Sequence, residues 1–509
     1  MKKHPATHKK AWNTVSALFL ALLVVPEVWA MYRLWDLAVL PGLYFGILCA
    51  LLVVITALLG ILMFPKIGRH QKSRGIVRRI TAYVLSLVIT AGACLGGLAL
   101  SKLDKTFDAI TQPQTVSTYV GIYVRADDPA GEIADAADYR FAVTDSFDAE
   151  NSAATVEALT ELLGRPADTR SYASVYEMAD ALLGGDADAI ILNEAFLEIF
   201  PEVEGYETFA SDTRLLYEHC VVTEVTPTTP PAAGPEDPTA ETEDPLTAPF
   251  LAYLSGSDTR SHLLSQSRSD VNILAVVNPE THQILLVNTP RDYFVPNPAY
   301  GGALDKLTHC GLNGTENSAK ALGNLYGQTV DYTAQINFTG FETLIDSIGG
   351  INIYSENGDG VLLSAGNNYM NGEQALHFAR DRYDYASGDN ARGEHQMMVI
   401  KAVVDKMISG SIIMNYSEIL DSLQGMFVTS MPSERISELI KLQIRDMSGW
   451  NVLSYAVTGV GGSDRPAAMG GLYAYVMYPN QETVDHAADL ISRVLNDEIL
   501  TEQDVQPLS

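Results

Sequence analysis

The chain has 509 residues, a formal net charge of −29 and a hydrophobic share of 47%. That length exceeds one ordinary globular domain, and so large an apolar share argues against a disordered acidic chain. The apolar residues are also unevenly spread, and their distribution sets the first expectation.

Three apolar runs come first, over residues 11–31, 38–64 and 77–100. Each is close to the roughly 20 residues a helix needs to cross a bilayer. The first contains Pro26 and Glu27, and a cleaved signal peptide is the competing reading for it. Two further runs follow, however, and no small-residue cleavage site stands out. Lys2, Lys3, Lys9 and Lys10 precede the first run, and Lys66, Arg69, Lys72, Arg74, Arg78 and Arg79 lie between or at the edges of the second and third. The link between the first two carries only Arg33 and Asp36. The positive-inside rule then makes residues 1–104 a cytoplasmic N-terminus plus three transmembrane helices, with everything after about Ser101 extracellular. The basic loop stands between apolar runs, so nucleic acid is not an expected partner. Cys49 and Cys94 fall inside spans. Cys220 and Cys310 fall outside, either as a disulfide or as two unpaired thiols.

Two folded segments are expected beyond the membrane. Residues 115–224 alternate short apolar runs ("YVGIYV", "YRFAVT", "AIILNE") with helix-like stretches ("AATVEALTELLG", "SVYEMADALLGG"), the rhythm of a small α/β accessory domain. Its pattern resembles a lobe of extracellular solute-binding proteins but brings no ligand motif, so a spacer or docking module is the favoured reading. Residues 225–249 ("VTPTTPPAAGPEDPTAETEDPLTAP") form a Pro, Thr and acidic linker with little to bury.

Residues 250–498 predict an α/β/α sandwich with a mixed central sheet. "FLAYLSGSDTR" reads as a strand entering a loop, and "VNILAVVNPETHQILLVNTPRD" as a hairpin turning at Asn278 to His282. Next come the helix "ENSAKALGNLYG", the strand "DYTAQINF", the helix "FETLIDSIGG" and the strand "INIYS". Asn371 and Gln374 open "NGEQALHFARDR" with the spacing of a capping box, and "NARGEHQMMVIKAVVDKMIS" makes a long helix.

Charged residues in this segment gather at the ends of elements, where α/β sheets build their sites. They are Asp258 and Arg260 in "GSDTR", Arg268 and Asp270 in "RSD", Arg291 and Asp292 in "PRD", and Asp305 and Lys306 in "LDKLTH". Arg380, Arg382, Asp389, Arg392 and Gln396 follow, the last two four apart and so on one helix face. Repeated arginines beside aspartates suit a diphosphate with a divalent metal. Guanidinium forks match phosphate oxygens, and magnesium (or manganese) takes one or two carboxylates plus phosphate oxygens and water. Asp258 and Asp270 are the expected metal ligands. Structural ion pairs are the competing reading for any single residue, but the whole set favours a site.

"GSDTR", "RSDVNILAVVNPETHQILLVNTPRD", "DKLTH", "VDYTAQINFTGFETLIDSIGG", "NGEQALHFARDR" and "GDNARGEHQ" occur in that order. Together they resemble the LytR–CpsA–Psr family of cell-envelope phosphotransferases. The resemblance implies a membrane-integrated enzyme that takes an anionic or other glycopolymer from a polyprenyl diphosphate carrier. It would attach the polymer to peptidoglycan through a phosphodiester. Carried over by position, Asp258 and Asp270 match the metal-linked aspartates, and Arg268, Arg291, Arg380 and Arg382 match diphosphate-binding arginines. Arg392 and Gln396 match the helix that closes the site, and Arg260 joins the diphosphate set. The chain departs from the family's common pattern in having Val271 after "RSD" where threonine is frequent, "NTPRD" where serine or isoleucine often precedes "PRD", and His395 in place of an arginine. That last exchange puts a group that titrates near neutrality where a permanent cation is common.

Asp389 is read as the general base because it lies among the arginines. An apolar groove for the prenyl chain is expected near Leu322, Leu325, Phe341 and Leu344, although that spacing also suits plain core. His377 reads as a core histidine, or one that supports a ligand from behind, rather than a ligand itself, and His309 as no metal ligand. Two other functions remain open from sequence: a pyrophosphatase acting on the same lipid, and a non-catalytic polymer-binding or regulatory anchor.

Overall fold

The computed structural model describes residues 5–36, 42–64, 72–110, 114–144, 146–225, 227, 247–257, 264–358, 361–381, 389–408, 419, 422–446 and 448–507. The chain divides into two compact units, one built on residues 1–111 and the other holding most of the remainder.

The first unit consists of the helices α1 (Pro5–Asp36), α2 (Gly42–Met63) and α3 (Lys72–Ile110). All three are long and apolar enough to cross a membrane, over Trp12–Asp36, Leu43–Met63 and Gly75–Leu98. Leu23, Leu59, Met63, Ala82 and Tyr83 pack between them. Large apolar side chains such as Val25, Val53 and Leu95 face outward, where lipid is the solvent they suit. Glu27, the one carboxylate in the first span's interior, accepts a hydrogen bond from Thr56 Oγ1 on α2 at 2.8 Å. A polar group at that depth needs such a partner.

The second unit begins with a five-stranded sheet in the order β3-β2-β4-β1-β5. Its strands are β1 (Gln114–Arg125), β2 (Arg140–Val143), β3 (Asp168–Ser171), β4 (Ala189–Asn193) and β5 (Thr213–Val225). β2 is parallel to β3 and β4, whereas β1 is antiparallel to β4 and β5. Alternation along the strands divides the core. Ile122, Val124 and Ile191 pack with Leu159 of α4 (Ala149–Leu163). Tyr123, Ile190 and Leu192 pack with Met178 and Leu182 of α5 (Val175–Gly184). Leu312, Met469 and Ala474, from the domain that follows, are buried in this second cluster. The accessory domain therefore shares a buried core with the domain that follows it. Polar contacts reinforce the seam: Ser117 N donates to Leu264 O at 3.2 Å and Thr118 Oγ1 to Gln266 Oε1 at 3.1 Å.

The following domain holds a six-stranded mixed sheet in the order β14-β11-β6-β7-β8-β15. These strands are β6 (Phe250–Ser257), β7 (Ser269–Asn278), β8 (Gln283–Asn288), β11 (Tyr332–Asn337), β14 (Phe427–Thr429) and β15 (Asn451–Ala456). The expected hairpin is β7 to β8. Its turn is held by Asn278 Oδ1, which accepts from Glu280 N and Thr281 N at 3.0 Å each. Leu251, Tyr253, Leu274, Val276 and Leu285 face one side, under α8 (Thr315–Tyr326) and the C-terminal helix Gln481–Leu495. Ile273, Ala275, Ile284 and Leu286 face the other, under Met397 of α11 (Asp389–Met407). This is the α/β/α sandwich with a mixed sheet that the residue pattern predicts. Each fully buried aliphatic side chain contributes roughly 1.5–3 kcal/mol.

A smaller layer packs beside it: α9 (Phe338–Ser347), β12 (Ile351–Ser355), β13 (Gly366–Met370) and α10 (Gly372–Arg380), around Ile345, Ile351, Phe378 and Val399. The capping box that opens α10 is complete, with Gln374 N donating to Asn371 Oδ1 at 2.9 Å and Asn371 N to Gln374 Oε1 at 3.1 Å. Of the residues expected near an apolar groove, Leu322 and Leu325 belong to the main core, whereas Phe341 and Leu344 pack against the smaller layer. Cys220 is exposed and Cys310 buried, both as free thiols, and burial pushes the Cys310 thiol well above its ordinary value.

Candidate active site at the sheet edge

Strand register brings the candidate residues together. Ser257 at the end of β6 pairs with Ser269 at the start of β7 and, in the parallel direction, with Asn337 at the end of β11. β7 and β8 pair through Ile273 and Asn288, and Thr289 N donates to Asn272 O at 3.0 Å. Continuing that antiparallel register sets Asp270 opposite Arg291. Arg291 Nη1 donates to Asp270 Oδ1 at 2.8 Å. Arg268, Asp270, Arg291 and Phe338 thus all lie off one edge of the sheet, and Arg380, at the end of α10, lies over the Phe338 ring at 4.4 Å.

Two close approaches fix the neighbouring elements. Gly393 in "ARGEHQ" lies against the Asn288 side chain, and a Cβ there would be 2.7 Å from Asn288 Nδ2. This contact seats the first turns of α11, with Arg392 and Gln396 both buried, beside the end of β8. Gly311 backs the start of β7, where a Cβ would come within 2.8 Å of Ser267 O and Ser269 N. Bulkier residues would push these backbones apart.

A cavity of about 720 Å³ opens at this edge, lined by Arg268, Arg291, Lys306, Asp292, Glu198 and Glu202, with Tyr475 at its side. Lys306 is 4% exposed and its Nζ lies 2.6 Å from Glu202 Oε2 and 3.6 Å from Asp292 Oδ1. A buried ammonium is tolerable only with such partners. Arg268 Nε donates to Glu198 Oε2 and its Nη1 to Glu202 Oε1, both at 2.8 Å. Glu198 and Glu202 come from the accessory domain, on the 3₁₀ turn Glu194–Glu202 after β4. Burial raises the Glu202 carboxyl, but His309, Lys306 and Arg268 together outweigh it and hold the group below its ordinary value.

Of the residues predicted from sequence, Arg268 and Arg291 line this cavity, Asp270 is ion-paired to Arg291, and Arg380, Arg392 and Gln396 stand on elements around the same edge. Asp258, Arg260 and Arg382 lie outside the described residues, as does the side chain of Asp389, whose backbone opens α11. Asp292 and Lys306, which the sequence placed in the charged set without a role, also line the cavity, whereas Glu198, Glu202 and Tyr475 were not predicted as site residues. His395 is buried and stacks on Phe378 with ring centroids 4.1 Å apart. His377 is exposed rather than core, because Ala375, Leu376, Phe378 and Ala379 take the buried face of α10. His309 is fully buried, its Nδ1 2.8 Å from Asp305 Oδ1.

Among the described residues no three His, Cys, Asp or Glu side chains converge as a metal cage. Magnesium needs no such cage when phosphate oxygens complete its shell, so Asp270 beside the arginines fits its preference.

The sequence profile of the LytR_cpsA_psr family matches residues 232–480. This domain belongs to the LytR–CpsA–Psr family. The chain is similar to the polyisoprenyl-teichoic acid–peptidoglycan teichoic acid transferase TagU of Enterococcus faecalis, 32% identical over 196 residues, 38% of this chain and 64% of that protein. It is also similar to the polyisoprenyl-teichoic acid–peptidoglycan teichoic acid transferase TagT of Bacillus subtilis, 31% identical over 195 residues, 35% of this chain and 59% of that protein. The chain thus spans less than two thirds of the length of these curated relatives. Among solved structures, "TagT bound to LIIa-WTA" aligns with 50% of this chain and 94% of that one, at 26% identity and a TM-score of 0.41.

The LytR–CpsA–Psr domain and the accessory domain are tied by the Glu202 ion pairs, and this has a pH consequence. Because the folded-state value of Glu202 is depressed, its contribution to stability is complete above the ordinary value of 4.5. It is lost as pH falls through the lowered folded-state value. The Glu202→Gln variant should therefore lose less stability than wild type between neutral pH and pH 4 or below (about the ordinary carboxylate range). Thermal melts of the full chain at stepped pH check this; parallel pH profiles would contradict it.

Proposed function

We propose that the protein is a membrane-anchored phosphotransferase that moves a glycopolymer from a polyprenyl diphosphate carrier to peptidoglycan through a phosphodiester link. The observation that carries the reading is the Arg268, Asp270, Arg291 and Lys306 set at the sheet edge of a LytR–CpsA–Psr domain. The names of the teichoic acid transferases it resembles support it. In the proposed reaction an acceptor hydroxyl oxygen forms a bond to the polymer-side phosphorus, and the bond from that phosphorus to the bridging oxygen breaks. The prenyl monophosphate leaves with the bond's electron pair, and the hydroxyl proton passes to a base, the role given to Asp389. Arginine forks hold the non-bridging oxygens and offset charge gathering on the leaving phosphate. Magnesium or manganese, held by Asp270 and Asp258, would add Lewis-acid neutralisation of the diphosphate.

Arg291→Lys keeps the charge but loses the planar fork, so transfer should fall by roughly tenfold or more. The assay uses purified full chain, a polyprenyl-diphosphate-linked polymer and peptidoglycan, and counts polymer bound to the wall. A wild-type rate for Arg291→Lys would remove the diphosphate role, and release of free polymer without wall attachment would make the protein a hydrolase instead.

In the same reading the N-terminus is cytoplasmic and the chain from β1 onward extracellular, as the basic flanks require. In a Cys220→Ser background, Ala233→Cys in the linker should react with a membrane-impermeant thiol reagent on intact cells, whereas Gly68→Cys should not. The opposite pattern would refute the three-span orientation.

A further inference from the structure

The accessory domain reaches into the cavity with two carboxylates. Arg268, Arg291 and Lys306 bring three positive charges to its lining, and Asp292 returns one negative charge from the same domain. Glu198 and Glu202 then cancel the remaining two, leaving the described lining balanced. Both carboxylates are ion-paired, Glu202 the more buried of the two. Glu202 bridges Arg268 Nη1 at 2.8 Å and Lys306 Nζ at 2.6 Å, and Glu198 takes Arg268 Nε at 2.8 Å. Their position is also fixed. The turn that carries them buries Phe196, Ile199 and Phe200 in the core that includes Leu312 and Met469 of the LytR–CpsA–Psr domain. The glutamates therefore remain beside whatever anion enters.

We propose that Glu198 and Glu202 are specificity-determining residues of the donor site: built-in competitors for Arg268 and Lys306 that favour a prenyl diphosphate over a prenyl monophosphate. This rests on the donor reading given above. A diphosphate brings two phosphate groups and can replace both carboxylates at the cations. A monophosphate replaces one and is left beside the other, a like charge at short range. The proposed reaction converts the first ligand into the second, so the same pair of carboxylates expels the spent carrier.

The test measures binding of farnesyl diphosphate and farnesyl monophosphate to full chain in detergent micelles, for wild type, Glu198→Gln and Glu198→Gln/Glu202→Gln. Glutamine matches glutamate in size and keeps an oxygen for Arg268, and Glu198, the more exposed of the two, gives a milder variant. In the double variant monophosphate affinity should rise about tenfold or more, and the preference for diphosphate should shrink. The single variant should fall between. A role in folding alone would weaken both ligands together, so an unchanged or larger preference overturns the inference. If that happens while Arg291→Lys still weakens diphosphate binding, the donor reading stands by itself. If wild type binds neither ligand, both fall.

Discussion

The antiparallel register of β7 and β8 is the constraint on which the site depends. Once Ile273 pairs with Asn288, the chain direction sets Asp270 opposite Arg291 beyond the last ladder pair. A slip of one residue would send every apolar side chain of the hairpin to the wrong face of the sandwich. The core on both faces thus also enforces the position of the Asp270–Arg291 pair. The parallel pairing of β6 with β11 extends the edge to Phe338, where Arg380 rests on the ring. Stability and site geometry are in this respect the same fact.

Electrostatics then shapes what the edge can receive. Arg268 and Lys306 are largely withdrawn from water and would be costly there without partners. The accessory domain supplies those partners, which is why its carboxylates are both structural and chemical. A wholly cationic cavity would hold any phosphate. One balanced from within holds only a ligand able to displace the resident pairs.

Much of this was legible in the chain, for identifiable reasons. The hairpin could be read because two apolar runs, "NILAVV" and "ILLV", flank a turn led by Asn278, as strands buried on both faces do; its register became visible only in the fold. Asn371 and Gln374 announced a capping box that the fold completes. Glu198 and Glu202 were not legible, since their partners lie 66 to 104 residues away in another domain and glutamates four apart look alike on solvated and docked faces. The split of Leu322 and Leu325 from Phe341 and Leu344 escaped for a similar reason: helical spacing shows which residues are buried, not against which layer. His377 could have been placed by the period of α10, because apolar residues flank it on both sides and take the inward positions. Lys306 was visible in "LDKLTH", but only tertiary packing shows that its ammonium turns into the cavity.

The account stands on one placement, that of the donor's diphosphate. A structure of the full chain with a polyprenyl-diphosphate-linked saccharide bound tests it most directly. The account predicts phosphate oxygens within hydrogen-bond distance of Arg291 and Arg268, at the edge where β6, β7 and β8 end or begin. A diphosphate bound elsewhere, with the Asp270–Arg291 and Arg268–Glu202 pairs intact and facing solvent, would contradict it.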